Sequence, residues 1–237
     1  MEISAKNKTS KELNELIKAC DGDVTVTDAL GERFIACGLS DKKVTVKGTP
    51  GNALCAYLDG ARVEVFGNGQ DAVGDTMNDG TVVIRGSVGD ALGYAMRGGK
   101  IYVQGDAGYR LGVHIKEYKD KKPVIIIGGT AGSFLGEYMA GGIIVVLNLN
   151  EEKTAVGNFT GVGMHGGKIF IRGEQSAVLP PQVKCEKAVS GDLDLIKGYL
   201  KEYASEFGLD ADKLLRDEYY VLSPDSTNPY KRLYTCN

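Results

Sequence analysis

Between residues 44 and 173 the chain repeats one short alternation of apolar and polar positions, each run closed by glycine or asparagine. The runs read VTVKG, VEVFG, VVIRG, IYVQG, VIIIG, IVVLN and IFIRG. They close at Gly48, Gly67, Gly86, Gly105, Gly128, Asn148 and Gly173, so the intervals are 19, 19, 19, 23, 20 and 25 residues. The positions four and two before each closing residue are valine or isoleucine without exception. A period of two inside a period near twenty predicts short strands whose inward side chains stack one per coil. That pattern predicts a mainly β chain, a single-stranded right-handed parallel β-helix of about seven coils over 44–173. At ~4.8 Å per coil the column is roughly 30 Å tall. Glycines mark its corners, where the chain needs positive φ or where backbone packs on backbone. The expected corner set is Gly67, Gly86, Gly89, Gly93, Gly105, Gly108, Gly112, Gly128, Gly132 and Gly136. Asn148 substitutes at one closing position, as the residue that best tolerates the left-handed region after glycine. Two more apolar ladders follow the same spacing, Val73–Leu92–Leu111–Leu135 and Met77–Met96–Met139, and read as core filling.

The outward positions change character along the repeat. They are polar or mixed in the first four runs (Thr45, Lys47, Glu64, Phe66, Val83, Arg85, Tyr102, Gln104) and apolar in the next three. Counting from the closing residues, Ile125, Ile127, Val145, Leu147 and Phe170 point outward, a patch that a solvated face would not carry. The expectation is that the C-terminal tail of the chain or a partner covers it.

The ends follow other rules. Residues 1–43 are expected to form an N-terminal cap. Thr9-Ser-Lys-Glu12 is a capping box for a helix with Leu13, Leu16, Ile17 and Cys20 on one face, followed by short strands at DVTVT and RFIACG. Residues 174–237 are expected to form a helical extension packing on the column. It comprises a helix capped by Asp192 with Leu193, Ile196, Leu200, Tyr203 and Phe207 in its stripe, a shorter helix near 210–217, and an irregular tail. Two charged inserts, 116–122 and 149–153, read as solvated loops.

Composition narrows the chemistry. A net charge of −3 over 237 residues offers no global attraction for nucleic acid or an anionic membrane. Neither a signal-peptide core nor a membrane-length apolar run is present, so the cytoplasm is expected. The five cysteines (Cys20, Cys37, Cys55, Cys185, Cys236) are scattered without a C-x-x-C pair, and only His114 and His165 could add imidazole ligands. No disulfide framework, zinc knuckle or iron–sulfur cluster is expected in this chain alone. The outlier is glycine, 33 of 237, about twice the usual ~7%.

Three chemical readings remain. Gly161-Val-Gly-Met-His-Gly166 matches G-x-G-x-x-G, but another strand phrase follows it where a dinucleotide site needs a helix. Ser87 and Ser133 sit at corners, with His114 and His165 as the available bases, yet no G-x-S-x-G elbow exists. Asp71 and Asp90 recur at 19 residues, as an acidic stripe on a carbohydrate-cleaving β-helix would. Tyr109 and Ser133 then take that position, which favours corner hydrogen bonding to backbone. No catalytic, cofactor-binding or metal-ligating residue is therefore assigned.

The succession GDALGYAMRGGKIYVQGDAGYRLG, GGTAGSFLGEYMAGGIIVVL and TGVGMHGGKIFIRG resembles the GXGXG repeat domain. That domain is the C-terminal β-helix of the glutamate synthase large subunit, and it also forms much of one of the subunits of formylmethanofuran dehydrogenase. The tail PDSTNPYKRLYT is similar to endings of stand-alone members on the glutamate synthase side. The resemblance implies a non-catalytic scaffold subunit of a multi-subunit glutamate synthase, an oxidoreductase complex making glutamate from glutamine and 2-oxoglutarate. FMN and an iron–sulfur cluster would sit on partner subunits, namely the amidotransferase and flavin or ferredoxin-type chains. A scaffold role in a formylmethanofuran dehydrogenase-type redox complex is the alternative, and a stand-alone hydrolase such as an esterase a second one. Self-association is possible in each case.

Overall fold

Alternation becomes a ladder. Val44 lies beside Val63, Val63 beside Val82, and Val82 beside Ile101, with Val46, Val65, Ile84 and Val103 aligned in the same way. The computed structural model describes residues 1–173 and 178–225. In chain order the elements are β1 (Glu2–Ser4), α1 (Ser10–Ala19), β2 (Val24–Leu30), β3 (Lys43–Thr49), β4 (Asp59–Phe66), β5 (Asp79–Ile84), β6 (Lys100–Val103) and β7 (Val124–Ile127). Then come β8 (Ala140–Val146), β9 (Gly166–Arg172), β10 (Val183–Lys187), α2 (Ser190–Phe207), α3 (Ala211–Arg216) and β11 (Tyr219–Pro224). Strands β1 to β9 stack in parallel and in sequence order, making a β-solenoid of about 8 turns.

The column starts earlier than the repeat phrase. Val24 pairs with Val44, Val26 with Val46, and Ile3 with Val26, so β1 and β2 are rungs of the same ladder. Helix α1 replaces the rest of a coil. The capping box at Thr9 and Glu12 opens it, and Leu13 and Ile17 close the end of the core. The segment RFIACG, expected as a strand, forms turns: Phe34, Ala36 and Gly38 have φ of 60°, 59° and 60°.

Those turns define a second face. In each coil, alternate residues adopt the left-handed conformation: 53, 55 and 57; 72, 74 and 76; 91, 93 and 95; 110, 112 and 114; 134, 136 and 138; 159, 161 and 163. The alternation sends successive amides to opposite neighbours. The Ala53 N–H donates to Asp71 O on the following coil, Cys55 N–H to Ile35 O on the preceding one, and Tyr57 N–H to Asp75 O on the following one. Inter-coil hydrogen bonding thus continues around the column without β geometry, and offsets conformations that L side chains otherwise avoid.

Inside, Leu54, Val73, Leu92, Leu111 and Leu135 make one buried ladder, and Leu58, Met77, Met96, Ile115, Met139 and Met164 another. Register differs from the sequence count at β7. Ile101 pairs with Ile125 and Val103 with Ile127, so Ile125 and Ile127 enter the core, while Val124 and Ile126 face outward. The cause is the 116–122 insert and its return through Pro123. The Gly129 amide bonds Gly105 O while the Gly128 amide still bonds Val103 O, so Gly129 is the corner aligned with Gly105. A one-residue slip exchanges the two faces of a strand, and four consecutive β-branched residues conceal it.

Beyond β9 the direction reverses. Antiparallel β11 follows β9 and β10 follows β11, and Val183 and Leu222 plug the core. Edge strand β10 carries Lys184 and Lys187, paired with Asp225 and Glu218 at 3.0 and 2.8 Å, which guards it against further pairing.

Candidate functional site

The repeated polar residues at the corners serve the neighbouring coil. Asn68 Oδ1 accepts from Ser87 N at 2.9 Å, Ser87 Oγ from Asp106 N at 3.0 Å, and Asp106 Oδ1 from Thr130 N at 2.7 Å. A second ladder places Asp71 Oδ1 on Asp90 N at 2.9 Å, Asp90 Oδ1 on Tyr109 N at 2.8 Å, and Ser133 Oγ on Asn158 N at 3.1 Å. Each acceptor reaches across a glycine. A Cβ at Gly86, Gly105, Gly89 or Gly108 would overlap Asn68, Ser87, Asp71 or Asp90 respectively. At Gly67, Gly128 and Gly132 it would overlap the backbone of the preceding coil. The remaining expected glycines, Gly93, Gly112 and Gly136, are left-handed (φ 65°, 69°, 64°) and face the Cδ1 atoms of Ile125, Ile144 and Ile169.

Ser87 and Ser133 are therefore corner acceptors. His114 stacks on Tyr138 (5.3 Å, 10°), and His165 Nδ1 lies 3.1 Å from Gly163 O. Among the described residues no serine–histidine hydrogen bond forms. Gly161–Gly166 runs straight into β9, so no helix N-terminus meets it. Cys20 and Cys55 are buried, Cys37 is half-buried and Cys185 is exposed. Burial pushes the Cys55 thiol far above its usual range. Among the described residues there is no group of three or more His, Cys, Asp or Glu that could hold a metal ion. No described helix is long and apolar enough to cross a membrane.

The outer sheet face is partly covered from within the chain. Val145, Leu147 and Phe170 lie with Val83, Tyr102, Val124 and Ile126 in one buried cluster with Ile196, Leu200 and Tyr203 of α2. Ile125 and Ile127 do not join it. Helix α2 crosses the strands from β9 to β4, a path of five spacings or ~24 Å. The helix is long enough for this at ~1.5 Å per residue. Its flanks are pinned in order: Asp192 to Lys168 (2.6 Å), Glu202 to Lys100 (2.5 Å), and Glu206 to Arg62 (2.8 Å). The Tyr203 hydroxyl donates to Val103 O at 3.0 Å. Asp192 stands at the third helical position rather than the cap. It accepts from Val189 N at 3.2 Å, and the Lys168 hydrogen bond holds its carboxyl below the usual range.

The second face has no such cover among the described residues. Tyr57, Tyr94, Tyr109, Tyr138 and Phe159 are 40% to 55% exposed. Two ridges run along it. Arg110 lies over Phe134 at 5.6 Å, and Phe134 stacks on Phe159 at 5.0 Å. Beside them, Tyr94 meets His114 edge-on at 5.8 Å, and His114 stacks on Tyr138. Sequence reasoning missed this face. Its signal was available, since Arg110, Phe134 and Phe159 are separated by the same 24 and 25 residues as the coils that carry them.

A β-solenoid whose corner side chains bond the neighbouring coil and whose outer faces carry a helix or aromatic ridges belongs to the class of solenoid repeat folds. The GXGXG motif family matches residues 2–225, and the chain belongs to that family. It is also similar to the Uncharacterized protein MJ1350 of Methanocaldococcus jannaschii. The two are 45% identical over 249 aligned positions, covering 98% of this chain and 95% of that protein.

Proposed function

We propose that this chain is a non-catalytic scaffold subunit of a multi-subunit glutamate synthase. The supporting observation is the corner ladder. The residues most able to do chemistry on the column, Asp71, Asp90, Asp106, Ser87 and Ser133, each accept a backbone amide of the next coil. Membership of the GXGXG family supports the same reading. Amidotransfer, flavin and iron–sulfur chemistry then belong to partner chains, which the column holds at fixed separation.

The test is isolation of the tagged chain from native extract. The expected companions are a glutamine amidotransferase and a flavin- and iron–sulfur-bearing chain, in an assembly that forms glutamate from glutamine and 2-oxoglutarate. Recovery with a molybdopterin or tungsten protein would move the chain to a formylmethanofuran dehydrogenase-type complex. Ester hydrolysis by the purified chain, lost in Ser133→Ala, would overturn the scaffold reading.

A further inference from the structure

We propose that the second face is the interface of a two-fold dimer of this chain, with the two columns antiparallel. The face changes along its length. Its early coils present the carboxylates Asp71, Asp75 and Asp90 and the small Ala72 and Ala91, with Ala53 nearly flush with the backbone and two exposed rings, Phe34 and Tyr57, at the far end. Its late coils present the raised ridges and two basic groups, Arg110 and His114. The early half is acidic, with its rings confined to its far end, and the late half is an aromatic, basic ridge.

A two-fold axis lying in the face along the fourth coil (90–95) reverses coil order and keeps each position in its own column. Phe134 then falls opposite Ala53, Phe34 opposite Phe159, and Tyr57 opposite Tyr138. Arg110 falls opposite Ala72, between Asp71 and Asp75, and His114 lies beside Asp75. Phe134 then covers a small residue, the outer rings meet ring against ring, and Arg110 meets carboxylates, each pairing occurring once for each copy.

Backbone conformation supports the assignment. Arg110, Phe134 and Phe159 occupy left-handed positions (φ 62°, 64°, 61°) where the three coils before them place alanine at 61°, 57° and 59° and only the first places a ring, Phe34 at 60°. An exposed phenylalanine there gains neither burial nor backbone ease, so its place on this surface is explained by contact with another molecule. Stacked rings held on a hydrogen-bonded ladder are also pre-ordered anchors. The face is roughly 30 Å tall and at most about 20 Å wide. Its area, at most about 600 Å² per partner, lies below the ~800 Å² of a standard interface and at the small end of specific ones.

Sedimentation velocity on the full chain from about 1 μM to about 1 mM reads the monomer–dimer equilibrium. Dimer is expected, and Phe159→Ser should weaken it by about tenfold or more while leaving the circular dichroism unchanged. Asp75→Arg and Arg110→Asp, both on exposed or half-exposed sites, should each weaken it, and the two together should restore it to within about threefold. Monomer throughout the range overturns the proposal. So does a dimer indifferent to Phe159→Ser, and so does a charge-reversal pair that fails to restore association.

Discussion

Gly112 and Ile144 meet inside the column, and the encounter sets the size of both residues. A Cβ built on Gly112 (φ 69°) would lie 2.5 Å from Ile144 Cδ1, with Ile144 Cγ1 next at 3.5 Å. The Gly112→Ala variant therefore incurs two penalties. The left-handed conformation costs an alanine about 1–2 kcal/mol, and overpacking adds about 1–3 kcal/mol. Loss of glycine freedom in the unfolded chain offsets about 0.4–1 kcal/mol of this, leaving about 1–5 kcal/mol with a midpoint near 3. Ile144→Val alone deletes the methyl that fills the notch, at about 0.5–1.5 kcal/mol. In the double variant the new Cβ occupies the vacated space and its nearest neighbour is an ordinary contact. The expected total is only about 1–2 kcal/mol, so the two changes couple favourably by about 1–3 kcal/mol. The chain contains its own precedent. Gly74 faces Ile101, 27 residues on (101 − 74). The same offset places left-handed Cys55 opposite Val82 and left-handed Ala36 opposite Val63, so the side chain appears where the partner is short. Urea unfolding of the four proteins of the cycle, followed by circular dichroism, measures the coupling. A double variant as destabilised as the sum of the singles, within about 0.5 kcal/mol, would refute the steric account.

Three further outcomes follow from the same geometry. Asp90→Ala leaves the Tyr109 amide without its acceptor and should cost about 1–2 kcal/mol in a thermal melt, whereas Asp90→Asn should retain most of that; equal losses would remove the corner ladder as the explanation. Tyr203→Phe strips the phenol from Val103 O beneath α2, and should cost about 1–2 kcal/mol or roughly 2–8 °C of melting temperature, with no change in sheet content. Because the Asp192 carboxyl titrates lower folded than unfolded, its contribution is present above the unfolded value of ~3.9 and disappears as pH falls through the folded one. Asp192→Asn should accordingly flatten the acid limb of the stability profile and leave the limb above neutrality unchanged; a profile parallel to the parent's at low pH would contradict this.

Much of the column was legible because a parallel solenoid prints its geometry onto the chain. Each rung buries side chains of the same kind at the same place, and each acceptor needs a glycine one coil on. The period, the valine–isoleucine ladder, the methionine and leucine columns, and Asp71 and Asp90 as corner acceptors could all be read from spacing. The β7 register could not. VIII satisfies both faces equally, and only the hydrogen bond from Gly129 to Gly105 decides which isoleucines enter the core. The start of the column was obscured because α1 interrupts the period after a single three-residue strand. The turns at RFIACG read as strand because alternation of apolar and polar residues is common to a strand and to this left-handed ladder.

Sequence alone determined that the chain coils, with what period, and which residues line the interior of every repeat rung but β7, since burial of branched aliphatics and the space denied to a Cβ are local demands repeated at each turn. Tertiary structure alone decided the conformation of the second face and the occupant of the first. Phenylalanine, tyrosine and arginine have no intrinsic preference for φ near 60°; they adopt it because amides must find carbonyls on the coils on either side. Helix α2 came to lie over Val145, Leu147 and Phe170 through Tyr203 and a row of ion pairs formed 24 to 144 residues apart in the chain, which no local pattern encodes.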